Sequence, residues 1–212
     1  NAFSKKYYKI VVKKNYTTKK PIIIYHTTNE KIKSKNINLR LDFKLEPNSS
    51  LKILDVFNDI SEKNFINIFY NFELDKDSIL KNYKVDKLEN NNIKYSFNNI
   101  EQGINSVSET FILSSGSNFI KNEINCNLNG KYSSAFVNGI FSLKNKSHHE
   151  IRTNINHLID NTKSYQLIKS ISENNSKAVY QGKIFVSPEA QKTDGYQLSK
   201  AILLSENAEF NA

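Results

Sequence analysis

Apolar residues recur at every second position over long parts of the chain, and short polar turns cut the runs. Ile37, Leu39, Leu41, Phe43 and Leu45 alternate with polar neighbours, which places them on one face of one strand. The run from Phe65 to Phe72 alternates in the same way, and further strand patterns run from Val107 to Leu113, Phe119 to Leu128 and Ser134 to Leu143. Between them stand turn sequences: Pro47-Asn48-Ser49-Ser50, Asp75-Lys76-Asp77-Ser78, Ser114-Ser115-Gly116-Ser117-Asn118 and Asn129-Gly130. Lys87 to Asn92 is charged and Asn-rich and reads as a longer loop. Near the start, Tyr8–Val12 and Ile22–His26 read as strands around the basic connection Lys13–Pro21. Gly139 inside a strand pattern reads as a close backbone approach at a bend.

The last third carries the clearest repetition. From Ser176 to Asn211 the pattern is strand, tight turn, strand, tight turn, strand. The turns Ser187-Pro188-Glu189-Ala190 and Ser205-Glu206-Asn207-Ala208 are two copies of one Ser-x-x-Ala unit. A strand-and-turn unit at short period is the mark of a solenoid. The expected fold is all-β, a parallel β-helix forming one domain over residues 1–212. In such a fold each coil buries only part of its apolar surface and stacking completes the core. The repeat further predicts that Val179, Ile184 and Val186 share one face and lie beside Leu198, Ile202 or Leu204 of the next coil.

The chain has 212 residues, enough for one sizeable domain with a core. No apolar run is long enough to cross a membrane; Ile22 to Tyr25 has the length of a buried strand. The first residues lack the apolar stretch of a signal peptide. There is no Met, even at residue 1, and Phe210-Asn211-Ala212 stops inside a strand pattern, so the expectation is a piece of a longer protein. A lone cysteine, Cys126, forms no internal disulfide and fits a reducing cytosol. One thiolate also falls short of the four that iron–sulfur clusters usually take, so Cys126 is expected to be a core residue.

The net charge of +9 reads as a solvated basic surface; a nucleic-acid footprint needs the charge gathered on one face with aromatic residues between. The lysines between residues 13 and 20 read as a phosphate site or, more simply, as a soluble strand edge. His148 and His149 are adjacent, face opposite ways on a strand and have no Cys or spaced His nearby, so they read as a polar pair at a turn. His157 reads as a satisfied histidine in a polar row. Glu189 and Asp194 resemble an acid/base pair, but they flank a turn, where acids commonly cap or are solvated. No phosphate-binding loop, zinc motif or nucleophile elbow occurs. No catalytic, cofactor-binding or metal residue is therefore assigned, and a non-catalytic protein is expected. A β-solenoid carbohydrate-active enzyme and a basic nucleic-acid-binding solenoid remain as alternatives, to be separated by how acids, bases and aromatics map onto the faces.

Several segments together carry a resemblance. Asn161-Thr162-Lys163-Ser164-Tyr165-Gln166-Leu167-Ile168-Lys169, Gly182-Lys183-Ile184-Phe185-Val186, Ala190-Gln191-Lys192-Thr193-Asp194, Leu203-Leu204-Ser205 and Ala208-Glu209 resemble, in order and spacing, the core of the SufB/SufD family. Arg152-Thr153, His157 and Leu128-Asn129-Gly130 extend the likeness over the chain from about Ser106 onward, and the N-terminal third is similar more loosely. The run Gln191 to Asp194 is more like the SufD branch than the SufB branch. The family's members are scaffolds for iron–sulfur cluster assembly. The resemblance implies a right-handed, flattened β-helix and pairing with a SufB-like paralogue and a SufC-like ATPase in the cytoplasm. It implies a cluster assembled transiently by the full complex and none bound by these residues alone. It also places a Cys-x-His-Gly segment and an ATPase-docking helical domain beyond Ala212. Partners among membranes or nucleic acids are not expected.

Overall fold

The strand patterns close into two parallel sheets wound as one solenoid of about seven turns. The computed structural model describes residues 6–28, 32–57, 60–88, 91–116 and 118–212. Its strands are β1 (Lys6–Val12), β2 (Ile22–His26), β3 (Asn36–Leu45), β4 (Ser50–Phe57), β5 (Phe65–Leu74), β6 (Ile79–Leu88), β7 (Ile93–Gln102), β8 (Val107–Gly116), β9 (Phe119–Leu128), β10 (Ser134–Leu143), β11 (His148–His157), β12 (Lys163–Ser172), β13 (Lys177–Val186), β14 (Asp194–Leu203) and β15 (Glu209–Asn211). Odd-numbered strands form one sheet in chain order, and even-numbered strands form the other. We call them the odd and the even sheet. Every pairing is parallel and in register, so each residue stacks on its counterpart one coil earlier, 26–33 residues back. The described residues contain no helix.

Alternation decides which side chains meet. In β4 to β12 the burial pattern switches at nearly every residue, with one set pointing between the sheets and the other outward. Leu41, Phe43 and Leu45 are buried, as are Ile66, Ile68, Tyr70 and Phe72 of the next coil. Phe43 stacks on Phe72 with ring centroids 4.9 Å apart. Like residues stack because in-register parallel pairing repeats each inward position at the same height.

The corners repeat as strictly as the strands. Where an odd strand passes to an even one, a four-residue turn places its third residue at a φ of 53–65°: Asn48, Asp77, Asn105, Tyr132, Asn161 and Lys192. Asn and Asp visit this left-handed region at least cost among residues with a side chain, which explains their frequency here. The following residue is Ser or Thr and donates its hydroxyl to the carbonyl three residues back, over 2.6–3.2 Å, at Ser49, Ser78, Ser106, Ser133, Thr162 and Thr193. Backbone bonds then tie corner to corner, as from Asn48 N to Lys76 O (3.0 Å) and Asp77 N to Ile104 O (2.9 Å).

Several expectations are corrected. The units at Ser187 and Ser205 do form like turns, with Ala190 N bonded to Ser187 O (2.9 Å) and Ala208 N to Ser205 O (3.1 Å). They are the two opposite corners of one coil rather than the same corner of successive coils, because one coil needs two strands. Consequently β13 and β14 lie in different sheets, and Val179, Ile184 and Val186 do not neighbour Leu198, Ile202 or Leu204. Parity separates the first three as well: Val179 stands on Glu150 on the outer face, whereas Ile184 stands on the buried Ile155. The Lys87–Asn92 segment is no long loop. Lys87 and Leu88 finish β6, and Asn92 is fully buried, its side chain accepting from Asn64 N at 2.9 Å. Glu89, Asn90 and Ser117, parts of two expected turns, lie outside the described residues. Gly139 marks no bend: it points inward, and an added Cβ would stand 2.8 Å from the Cδ1 atoms of Ile151 and Ile168. Close backbone approaches occur instead at Gly116, whose φ is +99° and where a Cβ would lie 1.9 Å from Leu88 O, and at Gly130, where it would lie 2.1 Å from Ile104 N.

The two outer faces differ. On the odd sheet, Asn71, Asn99, Asn125 and Asn154 stack in register, each amide donating to the one before it over 2.8–3.1 Å. On the even sheet the equivalent columns are Leu54, Tyr83, Phe111, Asn138, Leu167, Leu198 and Val56, Val85, Leu113, Ile140, Lys169, Lys200.

Candidate functional site

Cys126 lies on β9 with its side chain between the sheets and is fully buried. Its thiol donates to Gln102 Oε1 at 3.0 Å, an oxygen that also accepts from Ser108 Oγ at 2.8 Å. The Gln102 amide donates onward to Ser106 O and Ser134 O at 3.1 and 3.0 Å. Burial pushes the thiol pKa up to about 12. The reactive, metal-ligating form of cysteine is the thiolate, so this sulfur is held in its unreactive form.

The histidines separate as strand parity demands. His148 faces outward and packs edge-on against Phe119, with centroids 5.2 Å apart. His149 faces inward, is fully buried and has Nδ1 2.9 Å from Ser114 Oγ. The pair opens β11 rather than forming a turn. His157 is satisfied at both nitrogens, by Thr162 Oγ1 at 2.7 Å and Ser164 Oγ at 2.9 Å, but inside the solenoid, where it stands between Leu128 and Val186 and not in a polar row. Burial lowers its pKa.

The acids Glu189 and Asp194 stay at one exposed corner, where Ser187 Oγ donates to Glu189 at 3.0 Å. Among the lysines of the first connection, Lys13 pairs with Glu46 at 3.2 Å, and the same carboxylate accepts from Lys14 N at 2.9 Å. This is the bland alternative, an edge tied to the coil above. Among the described residues no group of three or more His, Cys, Asp or Glu is placed to hold a metal ion.

The segments that carry the family resemblance converge on one end. Lys192 and Thr193 continue the corner ladder: Thr193 Oγ1 reaches Thr162 Oγ1 at 3.3 Å, and Asp194 N donates to Thr162 O at 3.0 Å. Tyr180 OH donates to Gln166 Oε1 at 3.1 Å and lies 3.4 Å from Thr153 Oγ1. Gly182 leaves room for this cluster, since a Cβ there would meet Tyr180 and Gln197 at 2.5 Å. These motif residues therefore set corner and core geometry.

The largest polar feature was not anticipated. Asp55 of β4 accepts from Lys84 Nζ (2.9 Å), His26 Nε2 (2.7 Å) and Tyr70 OH (2.6 Å), all inside the solenoid. Beside it, Lys94 pairs closely with Asp86, and Asp86 accepts from Asn122 at 3.0 Å. Lys84 Nζ sits 3.3 Å from the Tyr70 ring centroid, and Lys94 Nζ 4.0 Å from that of Phe57. Burial works to raise the Asp55 carboxyl, yet the Lys84 charge and the His26 hydrogen bond outweigh it and hold it below the usual carboxylate range. Burial lowers Lys84 against the pull of Asp55, and burial beside that carboxylate raises the Tyr70 phenol well above its ordinary value. The signal was present in the sequence: Asp55 shares the parity of Leu51 and Ile53, which demands an inward carboxylate and hence a cation to meet it. Every charge in this network is met by another, so it acts as a structural lock rather than an open reaction site.

No helix of the described residues is long and apolar enough to cross a membrane. No curated protein matches the chain. The family model for the SufBD core domain of the SUF system for FeS cluster assembly matches residues 26–212, from the His26 that contacts Asp55 to the last corner and strand. The chain thus belongs to the SufBD core domain family, and its role lies in iron–sulfur cluster assembly by the SUF system.

Proposed function

We propose that the chain is the β-solenoid scaffold of a SufD-like, non-catalytic subunit that works in the cytoplasm with a SufB-like paralogue and a SufC-like ATPase. The observation that carries this reading is the state of its only thiol. Cys126 is fully buried, hydrogen-bonded to Gln102 and pushed up to about 12, whereas a nascent cluster needs several accessible thiolates. A chain of this family with such a thiol serves assembly by holding partners, and these residues alone bind no cluster. The Gln191–Asp194 run supports the SufD-like branch over the SufB-like one.

The test is co-expression of the protein with SufB-like and SufC-like partners, followed by size measurement, ATPase assay and reconstitution with iron and sulfide. The expected result is one heteromeric complex whose ATP hydrolysis is abolished by a SufC-like variant and unaffected by Cys126→Ser. A chain that acquires cluster absorbance alone, or that forms no complex with either partner, overturns the reading.

A further inference from the structure

The outer face of the even sheet is apolar where a free solenoid face is expected to be polar. Leu54, Val85, Phe111, Leu113, Ile140 and Leu167 stand outward there in two adjacent columns. Because the opposite parity is buried between the sheets, β8 reads Phe111-Ile112-Leu113 and β12 reads Leu167-Ile168. Near-continuous apolar runs of this kind belong to parallel strands covered on both faces. The odd sheet shows a partial contrast: at the strand position of the Val85–Leu113–Ile140 column stands the asparagine ladder, and at that of the Phe111–Leu167 column the stacked Phe69 and Phe97 give way to Glu123 and Arg152. Tyr83, Glu109, Phe111, Phe136 and Asn138 line a shallow hollow of about 310 Å³ on the even face. These outward side chains are half-buried by stacking on one another and leave a contiguous apolar band bordered by polar residues, the kind of surface that marks an interaction site.

Charge narrows the occupant. Outward positions of the same face carry Lys52, Lys81, Lys87, Lys163, Lys169 and Lys200, against the acids Glu109 and Asp194. Lys52 and Lys81 lie beside the apolar band at its β4–β6 end, and Lys169 and Lys200 take over the column of Leu113 and Ile140 at its β12–β14 end. Six strands from β4 to β14 span roughly 24 Å, the length of a helix of roughly 16 residues.

We propose that this face docks an acidic amphipathic α-helix of a partner protein, its apolar stripe on Phe111 and Leu113 and its carboxylates toward the lysines at the two ends of the band. A second copy of the chain is disfavoured because lysines would meet lysines. An anionic lipid surface is disfavoured because Glu109, which Lys81 holds at 3.0 Å, lies among the apolar side chains. The inference stands apart from the choice of SufD-like or SufB-like branch.

The probe is a fluorescent helical peptide of about 16 residues with a leucine stripe and glutamate flanks, titrated with the whole chain. The acidic peptide is expected to bind with an affinity that falls as salt rises, and a lysine-flanked peptide of the same stripe is expected not to bind. Phe111→Glu should weaken binding by about tenfold or more. Lys52→Glu and Lys169→Glu, which leave the apolar face intact, should each weaken it and flatten its salt dependence. Asn125→Asp on the odd face should change nothing. Equal binding of both peptides, or an unchanged affinity in the lysine variants, overturns the proposal. So does absence of peptide binding, whether the chain then attaches to phosphatidylserine vesicles, dimerises through Phe111 or does neither.

Discussion

Lys84 Nζ lies 2.9 Å from Asp55 Oδ2 with both side chains 1% exposed, on adjacent coils of the same sheet. The partners sit in one column, since Asp55 of β4 is directly in register with Lys84 of β6. The ion pair thus fixes the coil-to-coil register: a slip of one residue would turn the carboxylate outward and leave the ammonium alone in the core.

Removing one partner of this pair is therefore expected to cost more than removing both. Lys84→Met leaves Asp55 buried with His26 and Tyr70 as its remaining donors and should cost roughly 3–5 kcal/mol. The double variant Asp55→Leu with Lys84→Met should recover much of that loss. Urea denaturation of the two single variants and the double variant measures the coupling, and additive losses would show that the pair does not act as one unit.

Asp55 and His157 predict opposite ends of a pH profile. The depressed Asp55 carboxyl adds stability above its unfolded pKa of about 4, lost as pH falls towards the folded value. His157, whose pKa burial lowers, stays neutral in the fold while the unfolded imidazole gains a proton below about pH 6.5. Stability should thus decline as pH falls from about 7 through 5, and again below about 4. Chemical denaturation from neutral to acid pH should show the first slope reduced in His157→Gln and the second in Asp55→Asn.

Cys126 should be silent in the native state. A disulfide exchange reagent is expected to leave it untouched in the folded chain and to titrate one thiol after unfolding in guanidinium, because the thiol is buried and protonated. Cys126→Ala removes one donor to Gln102 but leaves Ser108, so a loss of about 1 kcal/mol is expected for the hydrogen bond in addition to any cavity term. Fast native modification would contradict the burial.

Gly116 and Gly139 should respond differently to the same methyl group. At Gly139 the added Cβ meets the ends of two isoleucine side chains, which can shift, so Gly139→Ala should cost roughly 1–3 kcal/mol and be partly rescued by Ile168→Val. At Gly116 the added Cβ meets the Leu88 backbone at 1.9 Å in a left-handed conformation, and no side-chain change relieves it. Thermal melts of both variants, with and without Ile168→Val, distinguish the two.

The sequence alone determined the strands, because a period of two is a local property: Ile37 to Leu45 and Phe65 to Phe72 show their inward faces without any partner. The repeated strand-and-turn unit pointed to the solenoid class, the lone thiol pointed to a buried Cys126, and the order of short segments in the last third pointed to the family. Only the tertiary structure decided which strands are neighbours. The turns at Ser187 and Ser205 look alike locally, yet one coil takes two strands and both corners obey the same steric demand, so similarity of turns does not fix the period. The buried network followed the same rule. Asp55, Lys84, Asp86 and Lys94 each have the parity of the core, but their pairing depends on which coils stack and at what register. The contrast between the asparagine ladder and the apolar even face likewise arises only when outward positions, 26–32 residues apart in sequence, are brought into single columns by parallel in-register pairing.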